Sequence, residues 1–147
     1  YDSQLVLVVK KGSKYANATS LADFAGAKVT AQLNTFHYSV IDQITGVDKQ
    51  AAMDNFPAMR VALQAGTIDA YVSELPEAIS AQAANSDFVM VKLTDGFKAS
   101  PEDTQTAVGV KKDSPLTKEI NEALKTISSE ERQQIMQEAI KNQPAAE

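Results

Sequence analysis

Apolar residues run unbroken from Leu5 to Val9 (LVLVV) and then give way to Lys10-Lys11-Gly12-Ser13. A β-rich run without alternation is the pattern of a strand covered on both faces, here with a charged exit. Further along, the period changes. Val29 to Leu33 reads as a short strand, and Phe36, Val40, Ile41 and Ile44 then fall on one helical face. The two meet at Asn34-Thr35, so residues 29 to 44 predict a strand, a tight turn and an amphipathic helix, ended by Gly46.

The remaining elements follow from the same signals. Ser20-Leu-Ala-Asp23 is a capping-box pattern that opens a short helix with Leu21 and Phe24 inward and Gly26 at its end. Ala51 to Phe56 reads as a short strand. Pro57 begins a helix in which Met59, Ala62 and Leu63 share a face, stopped by Gly66. Thr67 to Ser73 is a strand running into Glu74, and Pro76 to Ala84 a helix with Ala78, Ile79 and Ala83 apolar. Phe88 to Leu93 is a strand, Thr94 to Thr104 a loop, and Gln105 to Val110 a strand that leaves through Lys111-Lys112. Two helices close the chain. The first follows Ser114-Pro115 with Leu116, Ile120, Leu124 and Ile127 inward. The second opens on a capping box, Ser128-Ser-Glu-Glu131, and carries Ile135, Met136, Ala139 and Ile140, with fraying expected from Asn142 to Glu147.

Strands alternating with helices predict an α/β sandwich around a largely parallel sheet. Such sheets take ligands beyond the carboxyl ends of their strands. The Asn34-Thr35 turn and Glu74 both follow strand ends, so they can share one crevice. A strand that turns directly into a helix leaves the first helical N–H groups free for a carboxylate or phosphate. Asn34 suits the turn because asparagine tolerates left-handed dihedrals. Thr35 serves either as helix N-cap or as a hydroxyl toward a ligand, and Glu74 either as a solvated carboxylate or as the acidic partner of the turn.

Composition removes other chemistries. The 147 residues, 44% apolar, are enough for one domain or one domain with an appendage. A net charge of −5 without a basic cluster argues against nucleic acid and anionic membrane surfaces. There is no cysteine and only one histidine, His37, so neither a thiolate nor a multi-histidine metal site is available and no nucleophile–base pair is evident. His37, in the first turn of its helix, is expected at the surface, and Tyr71, in its strand, in the packing. No apolar run approaches a membrane span. The start at Tyr1, without Met and directly before a strand, leads us to expect a piece of a longer protein.

Leu5 to Ser13 (LVLVVKKGS), Leu21 to Val29 (LADFAGAKV), the Asn34-Thr35 turn, Leu63 to Glu74 (LQAGTIDAYVSE), Thr106 to Lys112 (TAVGVKK) and Ile120 to Leu124 (INEAL) follow in order over essentially the whole chain. Together they resemble the amino-acid-binding family of ABC-transporter solute-binding proteins, of the type II periplasmic-binding-protein fold. The resemblance implies a second lobe over residues 5–105. Residues 106–142 would be a return strand and C-terminal helices that belong with the first lobe, most of which is missing.

It further implies that Thr35 and the backbone N–H of Phe36 bind a ligand carboxylate. This chain has Asn34 where the family has glycine. Glu74 would take the α-ammonium. Gln32 and Ser73 match positions that often contact ligand, and Asp69 is structural. No cofactor is implied. The implied partners are a free amino acid, polar or cationic, and the membrane permease of an importer, with an extracytoplasmic or lipoprotein setting for the parent chain. Hinge strands near Leu5 to Val9 and Gln105 to Val110 would let the lobes close. The apolar faces of the tail helices would dock on the rest of the chain or on a second copy. A receptor sensor domain and a cyclohexadienyl-type dehydratase on the same fold are the alternative functions.

Overall fold

The computed structural model describes Tyr1 and residues 3–142. Five strands, β1 (Leu5–Lys10), β2 (Lys28–Thr30), β3 (Asp48–Lys49), β4 (Ala70–Glu74) and β5 (Phe88–Val91), form one sheet in the order β3-β2-β4-β1-β5. β2 is parallel to β3 and β4, whereas β1 runs antiparallel to both of its neighbours. Four strands therefore point one way and β1 points the other. Both edges of β1 are paired, and its side chains alternate between two cores. Leu7 and Val9 face Phe24, Val29, Ile41 and Val72 on one side. Val6 and Val8 face Met59, Leu63, Tyr71 and Ala81 on the other. Covering such a strand on both faces stabilises the fold by about 1.5–3 kcal/mol for each fully buried large aliphatic side chain.

The first face is covered by 3-10 turns at Leu21–Phe24 and Ile41–Gln43 and by the short helix α1 (Phe36–Val40). Tyr15 stacks on Phe24 with ring centroids 5.2 Å apart. The second face is covered by α2 (Phe56–Ala65) and α3 (Leu75–Ala84). The result is the expected three-layer αβα sandwich. The helix α2 begins where Asn55 accepts the Ala58 N–H at 2.9 Å and ends on Gly66, whose φ of 76° is the left-handed stop that a side chain would strain. Asp69 ties β4 to β2: its carboxylate accepts the Lys28 N–H at 2.8 Å, while its own N–H donates to the Lys28 carbonyl at 2.8 Å. That is the structural role expected of it.

Several expectations change. The strand read at Ala51 to Phe56 lies earlier, at Asp48–Lys49, and within 51–56 only Met53 bridges, to Gln32. The helix after Asn34-Thr35 tightens to a 3-10 turn after Val40. Gln105 to Val110 forms no strand of the sheet. Instead Thr104 and Thr106 pair with the chain's start, through Ser3 N–H to Thr104 O and Thr106 N–H to Tyr1 O, both 3.0 Å. These paired segments, rather than the buried β1, are where the chain enters and leaves the sandwich. A strand paired on both edges and covered on both faces cannot serve as a hinge.

The loop before them ends in the one-turn helix α4 (Pro101–Thr104), capped by Ser100. Of the tail helices α5 (Leu116–Lys125) and α6 (Ser129–Lys141), α6 opens on the expected Ser128/Glu131 capping box and packs on α3 through Met136 and Ile140. The α5 stripe is only half covered: Ile120 and Ile127 are half-buried, whereas Leu116 and Leu124 are 52% and 38% exposed, and Ile135 of α6 is exposed as well. Fraying past Asn142 falls outside the described residues. No described helix is long and apolar enough to cross a membrane.

Candidate ligand site at the β2–α1 turn and Glu74

The β2–α1 connection takes its shape from two residues. Asn34 has φ of 60°, the left-handed conformation that asparagine tolerates better than most side chains. Thr35 is extended at φ −118°, ψ 156°, and occupies the N-cap position. Its hydroxyl does not cap the helix. It donates to the Gln32 carbonyl at 2.7 Å and closes the turn, while the Tyr38 N–H reaches the Thr35 carbonyl at 3.2 Å. In a first helical turn the N–H groups of Phe36 and His37 have no carbonyl a turn earlier to bond within the helix. The Gln32 side chain donates to the Asp54 carbonyl at 3.1 Å and so buttresses the neighbouring loop.

Glu74 is the last residue of β4 and the N-cap residue of α3. Its side-chain neighbour comes from α1: His37 Nε2 lies 3.2 Å from Glu74 Oε1. A carboxylate only accepts, so the imidazole donates from Nε2. The α1 turn and Glu74 are thus brought together, as their positions after strand ends suggested. Glu74 keeps 37% of its side-chain surface accessible beside this contact. Tyr1 lies near enough that Glu74's negative charge, after the larger effect of burial, pushes the phenol's pKa up.

His37 is not the surface residue expected. It is 7% exposed, and the Phe36 ring lies against it at 4.4 Å between centroids. Its Nδ1 is buried without a hydrogen-bond partner. Burial lowers its pKa below the usual 6.5, with Glu74 pulling the other way through charge and hydrogen bond. The neutral Nε2–H tautomer satisfies both facts. The signal was in the spacing: residue 37 stands three, four and seven positions before Val40, Ile41 and Ile44, on their face of the helix.

Ser73 does not join this site. Adjacent strand residues point to opposite faces, and Ser73 faces the second core with Tyr71. It is fully buried and donates to Glu77 Oε2 at 2.5 Å, while Arg60 donates to Glu77 Oε1 at 3.1 Å from Nε and 2.6 Å from a terminal nitrogen. Tyr71 is buried beside them as packing, and its phenol is pushed well above its ordinary pKa, first by burial and then by the Glu77 charge.

No protein-family model and no curated protein matches the chain. Solved structures do. AbpA, an amino acid ABC transporter substrate-binding protein from Streptococcus pneumoniae bound to L-arginine, superposes with a TM-score of 0.75 at 26% identity, over 96% of this chain and 58% of that one. The chain has the fold of amino-acid ABC transporter substrate-binding proteins. A mutant of ArgBP from T. maritima gives the same result, with a TM-score of 0.72, 25% identity, and coverage of 97% of this chain and 59% of that one. The separate domain 2 of TmArgBP matches over 98% of its own length and 61% of this chain, at 26% identity and a TM-score of 0.54. These relatives are transport binding proteins and not enzymes. The chain spans just under three fifths of the length of the first two.

Proposed function

We propose that this chain is the ligand-binding lobe, with its C-terminal extension, of the substrate-binding component of an amino-acid ABC importer. Residues 5–105 form the lobe, and residues 106–142 belong with the other one. A free amino acid lies between the lobes, with its carboxylate on the Phe36 N–H and the Thr35 hydroxyl, which exchanges its Gln32 acceptor for the ligand. The α-ammonium binds Glu74. Asn34 holds the turn open in place of a glycine, and Gln32 braces the turn from behind. Ser73 takes no part, because its hydroxyl is committed to Glu77.

One observation carries the reading: α1 and Glu74, far apart in sequence, sit within a single hydrogen bond of each other through His37. The turn that carries the backbone donors is thereby tied to the acceptor, which supports a site for the opposite charges on neighbouring atoms of an amino acid. AbpA is described as bound to L-arginine, so a cationic amino acid is the class to try first. Charge-assisted contacts of this kind are roughly twice as strong as neutral ones. After binding, the closed form would present the ligand to a membrane permease on the extracytoplasmic side.

The chain alone supplies part of the contacts, so it binds weakly, with a Kd near 1 mM, equivalent to about −4 kcal/mol. Calorimetry with each of the twenty amino acids tests this. Weak binding confined to one chemical group, and lost in Glu74→Ala, is the expected result. Micromolar affinity for this chain alone contradicts the shared-site reading, and equal weak heats with every amino acid contradict the site.

A further inference from the structure

The amino-acid reading leaves His37 unused, although it touches the residue that reading depends on. On this face of α1, between Phe36 and the Val40–Ile41 pair, an aliphatic side chain would pack without leaving a buried nitrogen unpartnered. The imidazole instead directs Nε2–H at Oε1 of Glu74. A carboxylate can accept on both oxygens. One oxygen held by a buried neighbour orients the group, whose side chain stays 37% accessible, and leaves the other oxygen for a cation.

Resting on the amino-acid reading, we propose that His37 is the positioning residue for Glu74: neutral, it holds one carboxylate oxygen and leaves the other to the ligand ammonium, and protonated, it competes with that ammonium for the same charge. The proton would be taken up from solvent at Nδ1, the nitrogen that now has no partner. Among the described residues Glu74 is the carboxylate in contact with the resulting imidazolium, so a cation already on Glu74 opposes it. By reciprocity, protonation opposes the ligand. Among the described residues, the groups facing this pair are Glu74 at the β4–α3 junction, the Phe36 ring on α1, and the Tyr1 phenol beside Glu74 from the N-terminal segment. The phenol is held protonated over the range concerned, and the ring does not titrate.

His37 is the single histidine of the chain, so its Cε1–H resonance reports one titration. In the absence of ligand, replacing Glu74 by Gln removes the charge that favours imidazolium, and the His37 midpoint should fall. An unchanged midpoint overturns the pairing whatever the chain binds. L-arginine, at a concentration on the order of 10 mM to occupy a weak site, should lower the wild-type midpoint too. Below that midpoint its affinity should weaken by up to about tenfold per pH unit, as one linked proton requires. His37→Gln keeps a donor but cannot titrate. It should bind arginine at neutral pH within about threefold of wild type and lose the acid dependence.

Arginine binding that leaves the wild-type midpoint in place overturns the competition while the amino-acid site survives. A His37→Gln chain that keeps the acid dependence overturns it equally. Absence of arginine binding at every pH overturns the amino-acid reading and the competition with it, and the Glu74→Gln titration then still decides the pairing.

Discussion

Arg60 and Glu77 clasp each other across α2 and α3, with Arg60 donating twice to Oε1 while Ser73 occupies Oε2. Both charged side chains keep only a small part of their surface, 22% and 16%. Glu77 is therefore the acceptor that lets a guanidinium and a buried hydroxyl lie against the apolar core. Replacing Glu77 by Ala removes the carboxylate partner of Arg60 and leaves the Ser73 hydroxyl only the Glu74 carbonyl at 3.2 Å, and it should destabilise the fold by about 2–4 kcal/mol, read as a lower midpoint in urea denaturation. Ser73→Ala removes a donor and leaves an acceptor still paired with Arg60, so it should cost less, about 1 kcal/mol. Equal losses in the two variants would contradict this account of the network.

Leu7 lies at the centre of the sheet with no exposed surface, while Leu116 on α5 is half open to solvent. The same substitution should therefore have different outcomes. Leu7→Ala should cost about 3–5 kcal/mol through lost burial and the cavity left behind, and Leu116→Ala about 0.5 kcal/mol or less. Thermal or urea melts of the two variants check the contrast.

Asn34 holds its left-handed conformation without glycine's freedom. Asn34→Gly should leave stability within about 1 kcal/mol of wild type, since the gain in backbone comfort is opposed by entropy in the unfolded chain. Asn34→Val should cost about 1–2 kcal/mol, because a branched side chain crowds that conformation. Denaturation of both variants measures the strain at the turn.

His37 also makes stability depend on pH. Its folded pKa lies below 6.5, with burial the main cause. The unfolded chain thus takes up the proton first as pH falls, and acid favours unfolding. The His37 contribution is full above about pH 6.5, declines as pH drops below it, and levels off once the folded form also protonates. Urea midpoints measured from neutral to mildly acid pH should fall in wild type more steeply than in His37→Gln.

Much of this was legible locally. The unbroken LVLVV run announced a strand buried on both faces, the Ser20/Asp23 and Ser128/Glu131 pairs announced helix starts, and Gly66 announced a stop. Asn34-Thr35 and Glu74 were legible as neighbours because both follow strand ends. Strand direction was less legible: the reversal of β1 depends on which strands flank it, and no residue in the run encodes that. Gln105 to Val110 has the composition of a strand, but a strand exists only where an edge accepts it, and here the partner is the chain's own start.

A place in the first turn of its helix suggests a surface position for His37, but its spacing to Val40, Ile41 and Ile44 puts it on their buried face. Ser73 matches a position that often contacts ligand in the family, but alternation along β4 sends it to the face opposite Glu74. The α5 stripe has inward spacing but is only partly covered among the described residues, with Leu116 and Leu124 exposed.

The most direct test of the central claim is an amide-resolved NMR titration of this chain with L-arginine. The account predicts that shifts concentrate at the Phe36 and His37 amides and at Glu74, saturate at millimolar ligand, and vanish in Glu74→Ala while the variant stays folded. Shifts confined to α5 and α6, or a full response that survives Glu74→Ala, would contradict it.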